Sequence, residues 1–190
     1  MGVDQKLEGR EAPQLDGSGL RIGVVCGRFN DAITVRLLDG VERGLAACQV
    51  ADEDVVIEWV PGAFEVPFAS MAMINSGEFD AIIGLGCVIR GDTSHYDFVA
   101  GECARGLQDV GLATGVPVIF GVLTTENRQQ AEERSEGPGG HNVGEEGAHT
   151  AVEMALLARN YAPADHGDDH DHDHDHDHDH GDCGHDHHHH

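Results

Sequence analysis

The chain has 190 residues, five cysteines and a formal charge of −24, with Lys6 as its only lysine against ten arginines. So acidic a chain is a poor partner for nucleic acid or anionic membranes, and no apolar run is long enough to cross a bilayer. Five dispersed cysteines without a CxxC, and no secretory leader pattern, are expected of a reduced, soluble, cytoplasmic protein.

Residues 1–19 are polar and Gly-rich and read as an N-terminal arm. Arg21–Cys26 (RIGVVC) is a first strand, Gly27–Asn30 its exit loop, and Asn30 or Asp31 a candidate N-cap. Ala32–Ala47 has helical spacing at Ile33, Leu37, Leu38, Val41 and Leu45. Val55–Val60 (VVIEWV) is a second strand broken by Pro61-Gly62, and Phe64–Ile74 a helix with Pro67 in its first turn. Asp80–Ile89 is a third strand, its small residues leaving room for a ligand, and His95–Thr114 a helix with Thr93 and Ser94 as N-cap residues. Pro117–Val122 (PVIFGV) is a fourth strand. Asn127–Ser135 is a short polar helix capped by Thr125 or Asn127, and Glu145–Tyr161 a last helix, apolar at Ala148, Val152, Ala155 and Leu156.

Strand and helix alternate four times, which predicts a three-layer α/β domain over 20–163: a four-stranded parallel sheet flanked by helices. Ligands in such sheets bind beyond the carboxyl ends of the strands, so chemistry is sought in the loops from Gly27, Pro61, Arg90 and Leu123. The third is the most informative. RGDTSH offers a Gly-bearing turn and a helix start whose free N–H groups and dipole suit an anion, with His95 as a neighbouring acid–base group. A histidine at a helix start is also often a plain surface residue. Asp97 is a weak candidate to orient His95, since residues two apart on a helix do not face each other. In the first loop, Phe29 beside Asn30 suits stacking on a planar heterocycle, or equally a hydrophobic staple on the helix start. In the second, Glu65 is either a helix-start carboxylate or an acceptor for ligand hydroxyls, on a turn stiffened by Pro61 and Pro67. Arg134 is either a solvated charge or a phosphate ligand.

Four segments, GRFN (27–30), WVPGAFEVP (59–67), GLGCVIRGDTSHYD (84–97) and PVIFGVLTTENRQQAEER (117–134), together resemble lumazine synthase, an enzyme of riboflavin formation. The similarity runs from Leu20 to Tyr161. It implies a flavodoxin-like fold, assembly as pentamers or as twelve pentamers in a shell, and active sites between subunits. By this resemblance Phe29 stacks on the pyrimidine of ribitylaminouracil. Ala63, Phe64 and Glu65 hold the ring edge and ribityl hydroxyls with Asn30 nearby, and Cys87, Val88 and Ile89 meet the ring through their backbone. Asp92 and Thr93 give N–H groups to the phosphate of dihydroxybutanone phosphate, and His95 transfers protons. Phe120 and Arg134 come from the adjacent subunit, Arg134 clamping the phosphate. No cofactor is implied. One departure stands out: where the family commonly has a lysine before the last helix, this chain has Val143 in HNVG, with His141 as a substitute cation. The loop contains Pro138 and is about one residue longer than in shell-forming members, which favours a plain pentamer. Two rival readings are a flavodoxin-like module that binds lumazine without catalysis, and a distant relative, the archaeal-type riboflavin synthase, that consumes it.

From Ala164 onward no aliphatic residue exceeds alanine, so 164–190 is expected to be a disordered tail. Its alternating His-Asp repeat (His170, His172, His174 and beyond) suits Zn, Ni or Cu, either bound incidentally or buffered. The tail ends in four histidines as a purification tag does, but the repeat before them reads as native. It holds ten Asp and no Lys or Arg, which leaves −14 on the rest. That surface fits a salt-rich cytosol, or else an acidic protein from an arginine-preferring genome.

Overall fold

The computed structural model describes residues 15–162; most of the arm and the whole His-Asp tail lie outside the described residues. Four parallel strands, β1 (Ile22–Gly27), β2 (Val55–Val60), β3 (Ala81–Ile89) and β4 (Val118–Thr125), form one sheet in the order β2-β1-β3-β4. Among the described residues, five α-helices accompany them: α1 (Asp31–Ala47), α2 (Val66–Ile74), α3 (His95–Thr114), α4 (Arg128–Glu132) and α5 (Val143–Asn160). This is the expected three-layer flavodoxin-like α/β architecture. Side-chain alternation along the strands divides the core in two. Ile22, Val24 and Cys26 of β1 and Ile83, Leu85 and Cys87 of β3 face α1 and α5. Val25 and Ile82 face α2 and α3, against Val66, Cys103, Leu107 and Val110.

Small residues set the spacing of these layers. A Cβ on Gly84 would stand 2.9 Å from Val66 and 3.0 Å from Leu107, so the bare backbone there lets α2 and α3 settle on β3. On the other face α1 and α5 run against each other where a Cβ on Gly44 would meet Ala148 at 2.7 Å and the Glu145 carbonyl at 2.8 Å. Arg43 of α1 pairs with Glu145 of α5 at 3.0 Å. Residues 15–19 lie against the domain, with the Gly17 N–H donating to the Cys48 carbonyl at 2.7 Å and Leu15 packed on the core.

The element boundaries differ from the sequence reading in instructive places. β4 runs three residues past Val122, because the β3 ladder continues to the pair Ile89–Thr125 and threonine suits a strand. The fourth strand-end loop therefore begins at Glu126. α2 starts at Val66; the residues before it, Ala63–Glu65, form a separate 3₁₀ turn that places Pro67 at the second helical position. α4 is shorter than expected, and α5 begins two residues earlier, at Val143. Asn127 caps α4 by accepting from the Gln130 N–H at 2.9 Å, while the Thr125 hydroxyl donates to the Asn127 carbonyl.

Candidate active site

The exits of β1, β2 and β3 and the first turn of α3 enclose a cavity of about 560 Å³. The exits of β1 and β2 are tied by bonds from the Arg28 N–H to the Val60 carbonyl at 2.9 Å and from the Phe29 N–H to the Pro61 carbonyl at 3.2 Å. Gly62 keeps the space between two expected ligand contacts clear: a Cβ there would lie 3.4 Å from the Glu65 carboxylate and 3.8 Å from the Phe29 Cβ.

Asn30 occupies the N-cap position of α1 with φ 62°, yet its side chain makes no capping bond. The N-cap position is as expected, without the side-chain bond that usually accompanies it. The left-handed backbone, which asparagine tolerates, is accompanied by a different bond: Nδ2 donates to the Cys87 carbonyl at 2.8 Å, linking the β1 exit to the end of β3.

Ser94 is the N-cap of α3, again without a side-chain cap, and Thr93 Oγ1 lies 3.4 Å from the His95 N–H. The expected capping by Thr93 and Ser94 is thus at most one long contact. Among the described residues, the backbone N–H groups of Gly91, Asp92, Thr93 and Ser94 find no acceptor. Asp97 does not serve His95. Its carboxylate bonds Arg90 at 3.0 Å, and Arg90 also bonds Glu126 at 3.0 Å with its guanidinium 4.0 Å from the Tyr96 ring centre. These two carboxylates hold the Arg90 guanidinium more firmly protonated than usual. Burial pushes the Cys87 thiol up to about 11, so at neutral pH the cavity meets a neutral sulfur rather than a nucleophilic thiolate.

Phe29, Asn30, Ala63, Phe64, Glu65, Cys87, Val88, Ile89, Thr93 and His95 all line this one cavity. Asp92 sits in the loop between lining residues Gly91 and Thr93 without lining it. Phe120 and Arg134 stand elsewhere on the chain. Phe120 is opposite Gly84 in β4 and 42% exposed. Arg134 follows α4, and its guanidinium donates to the Gln130 carbonyl at 2.9 Å. The cavity wall also contains Tyr96, Phe98 and Val99, which sequence reasoning passed over; their spacing after His95 on an expected helix was the available signal. Val143 packs its side chain on the core at the start of α5, and His141 lies 3.3 Å from Glu146, so the proposed substitute cation already faces a carboxylate.

Among the described residues, no group of three or more His, Cys, Asp or Glu could hold a metal ion, and no helix is long and apolar enough to cross a membrane. Fold and cavity together define a flavodoxin-like α/β protein with a candidate ligand site at the carboxyl ends of parallel strands, beside a helix start whose N-cap side chain makes no capping bond. The family model described as 6,7-dimethyl-8-ribityllumazine synthase matches residues 19–159. The chain belongs to that family, the lumazine synthases of riboflavin biosynthesis.

Proposed function

We propose that the chain condenses 5-amino-6-(D-ribitylamino)uracil with 3,4-dihydroxy-2-butanone 4-phosphate to 6,7-dimethyl-8-ribityllumazine, releasing phosphate and water. The observation that carries this reading is the convergence of Phe29, Glu65 and His95, from three different strand exits, on one cavity. In this reading Phe29 stacks on the pyrimidine. Phe64 and Glu65 meet the ring edge and ribityl hydroxyls with Asn30 nearby, and the backbone of Ala63 and of Cys87, Val88 and Ile89 fixes the ring. The unpartnered N–H groups of Asp92 and Thr93 receive the phosphate, where the α3 dipole favours an anion.

The ring amine attacks the ketone to give a carbinolamine, which loses water to an imine. Elimination releases phosphate, the ribityl-bearing nitrogen closes the second ring, and a second water departs. His95 carries protons between these steps, and the protein supplies register between two bound substrates. Aromatisation supplies driving force, so the reaction needs no cofactor.

Phe120 and Arg134 act, in this reading, on the cavity of a neighbouring copy in a homo-oligomer, with a pentamer favoured. Two features support it: both residues lie off the cavity of their own chain, and the cavity rim exposes Phe29, Phe64 and Phe98, with Phe68 also exposed on adjacent α2. Such an apolar rim is expected to be covered by protein.

Mixing the two substrates with the full chain and following lumazine fluorescence tests the reaction. Product formation is expected. Binding of lumazine without product would favour a binding module, and consumption of added lumazine a riboflavin synthase. Light scattering reads the assembly, and a monomer would refute the shared site.

A further inference from the structure

We propose that Arg90 is a positioning residue that keeps two carboxylates, Asp97 and Glu126, from competing with the phosphate at the mouth of the third strand-end loop. The inference rests on the phosphate site proposed above and names a residue that the site itself does not include.

The argument starts from charge. An acidic residue in the first turn of a helix ordinarily turns toward the free N–H groups there, because the dipole favours it. Asp97 is such a residue in α3, and the N–H groups of residues 91–94 are unpartnered. Its carboxylate is nevertheless turned to Arg90, at 3.0 Å. Glu126 arrives beside Arg90 through the sheet register. Ile89 pairs with Thr125, the Arg90 N–H donates to the Thr125 carbonyl at 2.9 Å, and Glu126 is the first residue after β4. Arg90 bonds it through Nε at 3.0 Å. One guanidinium thus takes a carboxylate from α3 and another from the loop after β4 while lying 4.0 Å from the ring centre of Tyr96, which lines the cavity. Asp92 adds a third negative charge on the exposed loop, and the domain as a whole is acidic. Without Arg90, the anion substrate would approach a helix start with Asp97 free to swing onto its N–H groups and Glu126 unneutralised beside it.

The planar fork matters as well as the charge. A lysine ammonium could hold one carboxylate, but it has no second rigidly placed donor and no flat surface for Tyr96.

The test uses the full chain and inorganic phosphate, with Kd by calorimetry at about 0.1 M salt, alongside KM for each substrate. Arg90→Ala is expected to weaken phosphate about tenfold and to raise KM for the sugar phosphate similarly, leaving KM for the uracil within about twofold. In about 1 M salt the difference should shrink. Adding Asp97→Asn and Glu126→Gln to Arg90→Ala should return the phosphate Kd to within about threefold of the parent, a rescue that a purely structural role would not give. Should Arg90→Ala fail to fold, Asp97→Asn/Glu126→Gln alone, which leaves Arg90 unpaired beside the site, is expected to tighten phosphate; unchanged or weaker binding overturns the proposal. It is equally overturned if Arg90→Ala binds phosphate as the parent does while product still forms, an outcome that leaves the proposed reaction standing. A parent that binds phosphate, loses it on Arg90→Ala and makes no lumazine would refute the reaction alone. A parent that binds no phosphate overturns the proposal, while lumazine formation still decides the reaction.

Discussion

Replacing Asn142 by alanine is expected to cost this fold about 3–4 kcal/mol. The side chain is buried, and its amide is used on both sides. Oδ1 accepts from the Gly144 N–H at 2.9 Å and the Glu145 N–H at 3.3 Å, capping α5. Nδ2 donates to the Arg36 carbonyl at 3.0 Å and the Glu136 carbonyl at 2.8 Å, joining α1 to the loop before α5. Loss of a helix cap costs about 1 kcal/mol, and loss of each of the two donated bonds, both in part-buried places, costs about another 1 kcal/mol or more. Urea unfolding at fixed protein concentration measures the sum. Asn142→Asp separates its halves: the cap survives, the two donated bonds do not, and about 2 kcal/mol should be lost. Gly40 provides an internal control, because a Cβ there would strike the Asn142 amide. Gly40→Ala should be costly in the parent and cheaper in the Asn142→Ala background. A cost below about 1 kcal/mol for Asn142→Ala, or strict additivity with Gly40→Ala, would refute the reasoning.

Three further outcomes are expected. His95→Ala should lower kcat by about 10²-fold, the lower range for a removed proton-transfer group, with urea stability unchanged; an unaltered rate would remove His95 from its role. Phe29→Ala should raise KM for the uracil substrate by about tenfold or less through lost stacking and leave KM for the sugar phosphate nearly unmoved, as read by initial rates with each substrate varied in turn. Burial pushes the thiols of Cys26 and Cys103 up to about 12 and that of Cys87 to about 11. The folded state therefore holds protons that the unfolded chain releases above pH 9, and this contribution to stability should fall between pH 9 and 12. Cys26→Ala/Cys103→Ala should flatten that part of an alkaline unfolding profile.

Where one kind of residue carried one kind of signal, the sequence was readable. α3 begins at His95 and ends at Thr114 as expected, because polar punctuation at RGDTS and a Thr-Gly stop bracket a periodic run. Gly115, at φ 73°, ends it in the left-handed region. Residues were misread where their partners lie far along the chain. Asn142 stands in the HNVG turn with no sign of its role, but its bonds reach residue 36. Asn30 is the N-cap of α1 as expected, but its side chain bonds residue 87 rather than the helix. Asp97 was weighed against its neighbour His95, when its partner is Arg90, set by a turn whose geometry no local pattern encodes. The placing of Phe120 and Arg134 opposite a second copy came from family resemblance alone, since nothing in one chain's spacing indicates where another chain will sit.

The meeting of α1 with α5 also bears on how the protein is made. Ile33, Leu37, Val41 and Leu45 are covered in the finished fold, yet part of their cover belongs to a helix that ends at Asn160. A ribosome releasing the chain from its amino end must leave that stripe without its final partner until the last helix has cleared the exit tunnel. The greasy seam is then open to chaperones or to other nascent copies. Closure of the seam, rather than formation of the sheet alone, is the step that withdraws this stripe from such encounters.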